Sequence, residues 1–332
     1  MSYSIRICKE NEYAKLLEFI KHHWNENHIF VQSKKMLDFQ HLDTKRKTYN
    51  FIVAHNQNTG QFDALLGFIP LNFYDETLEN NDFWLALWKV KEECKKEGIG
   101  LKLLLYFHQN FQPNSVGAIG ISAAAKKLYK AFKWHTGTLE HFYIKNQTMT
   151  TFTLAHLIQN PVFLTDDTLE FKNVSLENIQ NIFSLYTPKK SVNFFLNRYV
   201  KHPFYKYQIC GIFRRKKLLS LFVFRKIEVN GDCCLRIVDW LGDFVAKCWG
   251  HFLNLLLEYN AQYIDFLCYT NAKELVMQMG FVLKNENEIV PNYFEPLLKE
   301  NKELEFAYKS KEMPYMIFKG DSDQDRPNLI KE

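Results

Sequence analysis

Between an apolar segment ending at Val90 and another beginning at Leu101, the chain reads Val90-Lys91-Glu92-Glu93-Cys94-Lys95-Lys96-Glu97-Gly98-Ile99-Gly100. Gly98 and Gly100 let the backbone approach an anion with no Cβ in the way. The helix that reads from Leu101 onward offers unpaired N–H groups at the positive end of its dipole. Lys95, Lys96 and Lys102 add charge beside it. These residue types at this spacing predict a phosphate cradle between a strand and a helix.

The surrounding elements follow from periodicity. A short alternating strand, Ser4 to Lys9, precedes a helix from Glu12 to Trp24 with Tyr13, Leu16, Leu17 and Ile20 at helical spacing. Asn25 to Lys47 reads as irregular, and YNFIVAHN and FDALLGFIPLN as two strands joined by a turn. A strand from Phe83 to Glu93 runs into the glycine segment and the helix LKLLLYFHQNF. A buried strand (115 to 121), a helix (AAAKKLYKAF) and a closing strand (TLEHFYI) complete this half. The second half repeats that order: strand TLEFKNV, helices at LENIQNIFSLY and VNFFLNRYV, a hairpin from YKYQICGIF to LLSLFVFRKIEV, strand CLRIVDWL, helix FVAKCWGHFLNLLLEY, strand YIDFLCY and helix NAKELVMQM. A repeat of about 150 residues is a duplicated domain, since solenoid units run to about 20 to 50. Pro161 and paired Asp within IQNPVFLTDD mark the joint.

The spacing of Val90, Lys95, Gly98 and Gly100 resembles motif A of the GCN5-related N-acetyltransferase (GNAT) superfamily, with Lys95 in the Gln/Arg place. Ser122-Ala123-Ala124-Ala125-Lys126-Lys127-Leu128-Tyr129-Lys130-Ala131-Phe132-Lys133-Trp134 resembles motif B, with Ser122 for the usual Asn and Lys133-Trp134 for Gly-Phe. The resemblance spans nearly all of residues 1 to 148. It implies an α/β (α+β) chain of two tandem domains, residues 1–150 and 165–332, each a mixed, mostly antiparallel sheet flanked by helices. It implies acetyl-coenzyme A as acyl donor, with Val90 along the pantetheine arm, Lys95, Lys96, Gly98, Ile99, Gly100, Leu101 and Lys102 around the pyrophosphate, and Ser122 also binding the cofactor. Tyr129 takes the position that protonates the departing thiolate in many such enzymes. A base for the acceptor amine is sought among His28, Glu92 and His141, histidine having an unperturbed pKa near 6.5. Trp24 and His141 are expected beside the acceptor.

In the second half, the matching place reads Ile237-Val238-Asp239-Trp240-Leu241-Gly242-Asp243-Phe244, without a G-x-G. Asp243 is expected to cap the following helix and repel an anion, so this copy is expected not to bind coenzyme A. The ending Asp321-Ser322-Asp323-Gln324-Asp325-Arg326-Pro327 alternates acids as a calcium loop does, but lacks the downstream Glu, and no metal is expected. It reads as a solvated tail or as a polar lip, Asp321, Asp323 and Arg326 binding the acceptor with Asn292 to Pro296 nearby. This ending resembles that of tandem chains among bacterial surface-polysaccharide and sugar-modification enzymes, which implies a nucleotide-linked amino sugar as acceptor.

Composition sets the outer bounds. In 332 residues, 47% hydrophobic and 24% charged content excludes a disordered chain, and the net charge of +5 is spread too thinly to imply nucleic acid. No apolar run reaches the roughly 20 residues of a membrane span, and no signal-peptide pattern opens the chain, so a cytoplasmic protein is expected. Seven Cys with no C-x-x-C predict free thiols. The competing readings are a FemABX-like aminoacyltransferase, which would need a basic tRNA surface beyond Arg214-Arg215-Lys216-Lys217 and Lys45-Arg46-Lys47, and a non-catalytic acyl-coenzyme A binding protein.

Overall fold

The computed structural model describes residues 3–179 and 182–328. Two mixed sheets carry the molecule. The first is built from β1 (Tyr3–Lys9), β2 (Thr48–Asn56), β3 (Phe62–Pro70), β4 (Asp82–Val90), β5 (Ser115–Ile119) and β6 (His135–Thr138). The second holds β7 (Glu140–Lys145), β8 (Leu169–Asn173), β9 (Gln208–Arg214), β10 (Lys217–Val229), β11 (Asp232–Gly242), β12 (Tyr263–Tyr269) and β13 (Val282–Leu283). Two late strands, β14 (Glu305–Ser310) and β15 (Ile317–Phe318), join these sheets; a short strand, Leu42–Asp43, pairs with β2, and Tyr293–Phe294 and Leu297–Leu298 form a small hairpin of their own. Each sheet has one parallel pair, β4 with β5 and β11 with β12, among antiparallel neighbours.

The strand order departs from a simple division into halves. The first sheet runs β1-β2-β3-β4-β5-β14-β6, so a strand from the end of the chain lies between β5 and β6. The second runs β13-β7-β12-β11-β10-β9-β8, so β7 from the first half lies against β12. Each sheet thus receives, beside its parallel pair, a strand supplied by the other half. The closing strand expected at TLEHFYI is in fact two strands that part at Leu139 and join different sheets.

Helices cover the sheets through apolar faces. α1 (Tyr13–His23) buries Leu16, Phe19 and Ile20, and α3 (Ile99–Phe111) buries Leu103, Leu104 and Phe107. The stretch 25–47, expected to be irregular, contains a helical turn, Ile29–Gln32, and α2 (Lys34–His41). Ser33 caps α2 by accepting from the Met36 amide at 3.2 Å, and Met36, Leu37, Gln40 and His41 form its buried stripe. α4 (Ala123–Ala131), α5 (Trp249–Glu258) and α6 (Lys273–Gln278) follow the parallel strands.

The helix expected at 176–186 does not form among the described residues. Only the turn Leu176–Asn178 is helical, and residues 180–181 lie outside the description. Ser184 N donates to Lys190 O and Phe183 bridges Ser191, which makes a loop that delivers Lys190 to the interior. The helix expected from Phe244 begins only at Trp249, because Lys247 adopts φ 63°.

Candidate active site

β4 and β5 pair only from Asp82↔Ser115 to Leu85↔Ala118. Opposite β3, Phe68 faces Leu85 but Leu66 faces Trp88, so Ala86 and Leu87 together oppose Gly67 in a β-bulge. Past the bulge β4 continues beside β3 to Val90, while β5 ends at Ile119 and Gly120 turns the chain away at φ 72°. The sheet forks, and a cleft of about 580 Å3 opens between the two strands. Its walls include Trp88, Val90, Ile121, Leu128 and Tyr129, and Trp24 stands at its edge, 45% exposed.

At one side of this cleft is the N-terminus of α3. Gly98 takes φ 68°, and a Cβ built there would meet nothing within 4 Å, so the space before it is open. A Cβ on Gly100 would come within 3.1 Å of Val90 Cγ2 and 3.4 Å of Trp88 Nε1. No side chain caps the helix, and among the described residues the Ile99, Gly100 and Leu101 amides have no backbone acceptor. Lys95 lines the same end, paired with Glu92 at 2.6 Å. Open amides, a helix dipole and an ammonium make an anion-binding end.

Toward the other side lies Tyr129 of α4, 2% exposed, its ring 4.5 Å from that of Trp134 and 5.7 Å from that of Trp88. Burial raises its pKa above the ordinary phenol value, so the hydroxyl holds its proton. No protein hydrogen bond engages that hydroxyl among the described residues. Lys133 adopts the left-handed conformation, φ 59°, and Trp134 is buried, so this pair closes α4 as a Gly-Phe pair would. Ser122 borders the cleft but caps α4, accepting from the Ala125 amide at 3.2 Å.

Of the residues expected around a donor, Val90, Lys95, Gly98, Gly100, Leu101 and Ser122 line the cleft. Ile99 sends its side chain into the core, contributing only its amide here. Lys96 and Lys102 are exposed and are not part of the cleft wall.

The three candidate bases are placed elsewhere. His28 is buried, accepts from the Phe30 amide at 3.2 Å and lies 2.9 Å from Arg326 Nη2. Burial and then the Arg326 charge push its pKa down to about 3, so it is a poor proton acceptor. Glu92 is exposed and paired with Lys95, which holds its carboxyl below the usual range. His141 sits on β7 in the second sheet, buried 2.8 Å from Asp265, which in turn binds Arg236. It belongs to an interior ion network and not to the cleft.

The acidic ending is not a solvated tail: Asp321, Asp323 and Asp325 are buried, while Arg326 and Asn328 border a cavity. Gly320 N donates to Val238 O at 2.7 Å and Lys319 N to Leu267 O at 3.2 Å, while Phe318 pairs with Cys268. The tail therefore fills the fork between β11 and β12, the second half's counterpart of the open cleft. Asp321 is buried 2.7 Å from Lys190 Nζ, which also binds Asp239 at 2.7 Å. Burial, together with the Asp239 carboxylate, pushes Asp321 up to about 6. Asp323 is buried with Arg326 Nε at 3.6 Å, and Asp325 binds Arg225 at 3.0 Å. Each alternating acid thus has its own cation, and among the described residues no His/Cys/Asp/Glu cluster suits a metal ion. Asp243 does not cap α5, since the helix begins only at Trp249 with Cys248 at its N-cap. Thr165 Oγ1 takes the Gly250 amide instead, at 2.9 Å.

The sequence reading missed that this tail also reaches the first fork. Ser322 Oγ donates to Leu85 O at 2.9 Å and Gln324 Nε2 to Ile119 O at 3.1 Å, at the two strands' point of separation. The alternation of small polar residues with acids was the available signal, but the carbonyls they meet lie over 200 residues away.

Two mixed sheets flanked by helices, with a parallel pair that forks over a helix N-terminus, define the GCN5-related N-acetyltransferase fold, and the paired sheets are consistent with two such domains. A GCN5-related N-acetyltransferase from Anabaena variabilis ATCC 29413 superposes with a TM-score of 0.57 at 10% identity, covering 93% of this chain and 72% of that one. A GCN5-related N-acetyltransferase from Sphaerobacter thermophilus gives 0.46 at 8% identity over 92% of this chain and 95% of that one. No protein-family model matches the sequence, and no curated protein matches it. No helix among the described residues is long and apolar enough to cross a membrane.

Proposed function

We propose that the protein is an acyl-coenzyme A dependent N-acyltransferase, with the donor in the cleft of the first sheet. The observation that carries this reading is the continuity of one cleft from the uncapped α3 amides at Gly98 to the unengaged Tyr129 hydroxyl. A coenzyme A thioester supplies the activated acyl group. The α3 amides and Lys95 fit its pyrophosphate, β4 beyond the bulge fits its pantetheine arm, and Tyr129 holds a proton for the leaving sulfur. Neither His28, Glu92 nor His141 serves as base in this reading, so the acceptor amine must reach the cleft uncharged or lose its proton to water. The preferred acceptor is a small amine, with an amino sugar on a nucleotide the first to try. The second half, whose own fork is filled, completes the acceptor side.

Calorimetry with coenzyme A on the intact chain and on Gly98→Glu tests the donor site. The substitution places bulk and negative charge in the open space before α3, and at least a tenfold loss of affinity is expected. Unchanged affinity would show the donor site to be misassigned. Thiol release from acetyl-coenzyme A with amino sugars, other amines and peptides tests the reaction, and tight binding with no turnover on any of them would make the protein an acyl-coenzyme A binding protein instead.

A further inference from the structure

A second cavity lies behind the tail, in the second half. Lys319 lines it and is 3% exposed. Its Nζ makes one hydrogen bond, to Gln324 O at 3.0 Å, and no carboxylate lies within 4.0 Å of it among the described residues. Arg225 and Arg236 share this cavity, but Asp325 and Asp265 engage their guanidinium groups. Arg326 is less well served: its Nε is buried without a hydrogen-bond partner, and Asp323 stays 3.6 Å away. Two cationic groups with unspent N–H donors therefore meet in one partly open space of about 40 Å3, larger than a single water requires.

A buried ammonium with no carboxylate in contact is an unfavourable arrangement, and the Asp325 and Asp265 charges compensate it only from a distance. Burial, and then Arg236, push the Lys319 pKa down to about 7. An anion with several acceptor oxygens resolves both shortages at once, and a tetrahedral phosphate suits an ammonium and a guanidinium approaching from different directions. The cavity is not isolated. Tyr205, Arg225, Phe294 and Glu295 also line an adjoining groove of about 490 Å3, where the Arg225 guanidinium lies 4.2 Å from the Tyr205 ring centre. Aromatic walls of this kind receive a planar base or the apolar face of a sugar.

We infer that the cavity at Lys319 and Arg326 binds the phosphate group of a phosphorylated small molecule whose ring lies in the groove beside Tyr205 and Phe294. Gln324 forms part of this cavity and bonds Ile119, which lines the donor cleft, so one side chain stands between the two sites. That the ligand is the acyl acceptor rests on the function proposed above; that the cavity takes a phosphate does not.

The test is calorimetry on the full chain without coenzyme A. The probes are inorganic phosphate, a nucleoside diphosphate, a hexosamine 6-phosphate, and the unphosphorylated nucleoside and hexosamine. A phosphorylated probe carrying a ring should bind, and at pH 8 should take up close to one proton from buffer as Lys319 becomes charged. Lys319→Met should lose at least tenfold in affinity together with the proton uptake, whereas Gly98→Glu should match the unaltered protein. Tighter binding of the nucleotide or of the hexosamine phosphate identifies the ring, and either supports the site. Absence of binding by every phosphorylated probe overturns the inference, as does unchanged affinity in Lys319→Met. Loss in Gly98→Glu would place the anion in the donor cleft, and inorganic phosphate binding with no gain from a ring overturns the groove. The proton uptake is read on the unaltered chain, so the test survives even if Lys319→Met folds poorly.

Discussion

Ser322 Oγ donates a 2.9 Å hydrogen bond to the carbonyl of Leu85, the last residue of β4 that faces β5. The tail thereby closes the apex of the first fork while its preceding residues fill the second. Ser322→Ala removes this buried hydrogen bond and should cost about 0.5–1.5 kcal/mol in urea unfolding. A change smaller than the error of the measurement would mean that water replaces the bond.

Tyr129 offers a hydroxyl with no protein partner, so removing it alters chemistry more than structure. Tyr129→Phe should lower kcat by roughly 10²–10⁴-fold, the usual worth of a positioned proton donor, with coenzyme A affinity and Tm nearly unchanged. Because burial raises the Tyr129 pKa, kcat should show no fall from its ionisation below about pH 10. Full activity in the phenylalanine variant would remove Tyr129 from the reaction.

Lys190 bridges Asp239 and Asp321 in the interior, and Tyr199 adds a 2.6 Å hydrogen bond to Asp239. Lys190→Met leaves two buried carboxylates without a cation and should cost about 3–5 kcal/mol. Asp321 has a folded pKa raised above 3.8, so protonating it favours the folded state, and that gain is lost as pH rises through about 6. The variant's deficit should therefore shrink between pH 7 and pH 5. Equal deficits at both values would argue against a buried charge as the cause.

Glu288 ties the segment joining the halves to the second sheet, accepting from the amides of Ile158 at 2.8 Å and Gln159 at 3.0 Å. Burial alone would raise its pKa, but the Tyr143 hydroxyl and the Asn285 and Gln159 amides overcome that and hold it at about 2. A depressed carboxyl stabilises the fold above its unfolded value near 4.5, and the contribution is lost as pH falls toward 2. Glu288→Gln should flatten this acid limb in pH-dependent unfolding, and an unchanged limb would assign it to other carboxylates.

Much of the first half was legible from local pattern. Alternation located β1 to β5 to within a few residues, and two glycines before an apolar helix marked the open end of the cleft. Pattern could not say which sheet a strand joins: Glu140–Lys145 reads as a strand beside its neighbours, yet pairs with Tyr263–Tyr269. The same limit explains the tail. Asp321, Asp323 and Asp325 look solvated because their partners Lys190, Arg225 and, through Arg326, His28 come from distant segments. His28 reads as a base by type, and only the fold shows the burial and the Arg326 contact that lower its pKa.

The exchange of β7 and β14 also sets an order on synthesis. The first sheet lacks a member until residue 310 has left the ribosome, and β7 has no partner until β12 has been made. Independent folding of the first half during translation, the usual habit of domains, is thus withheld from this chain. Its open strand edges at β5 and β6 must wait until Glu305–Ser310 has been made, a period in which a chaperone would find them exposed.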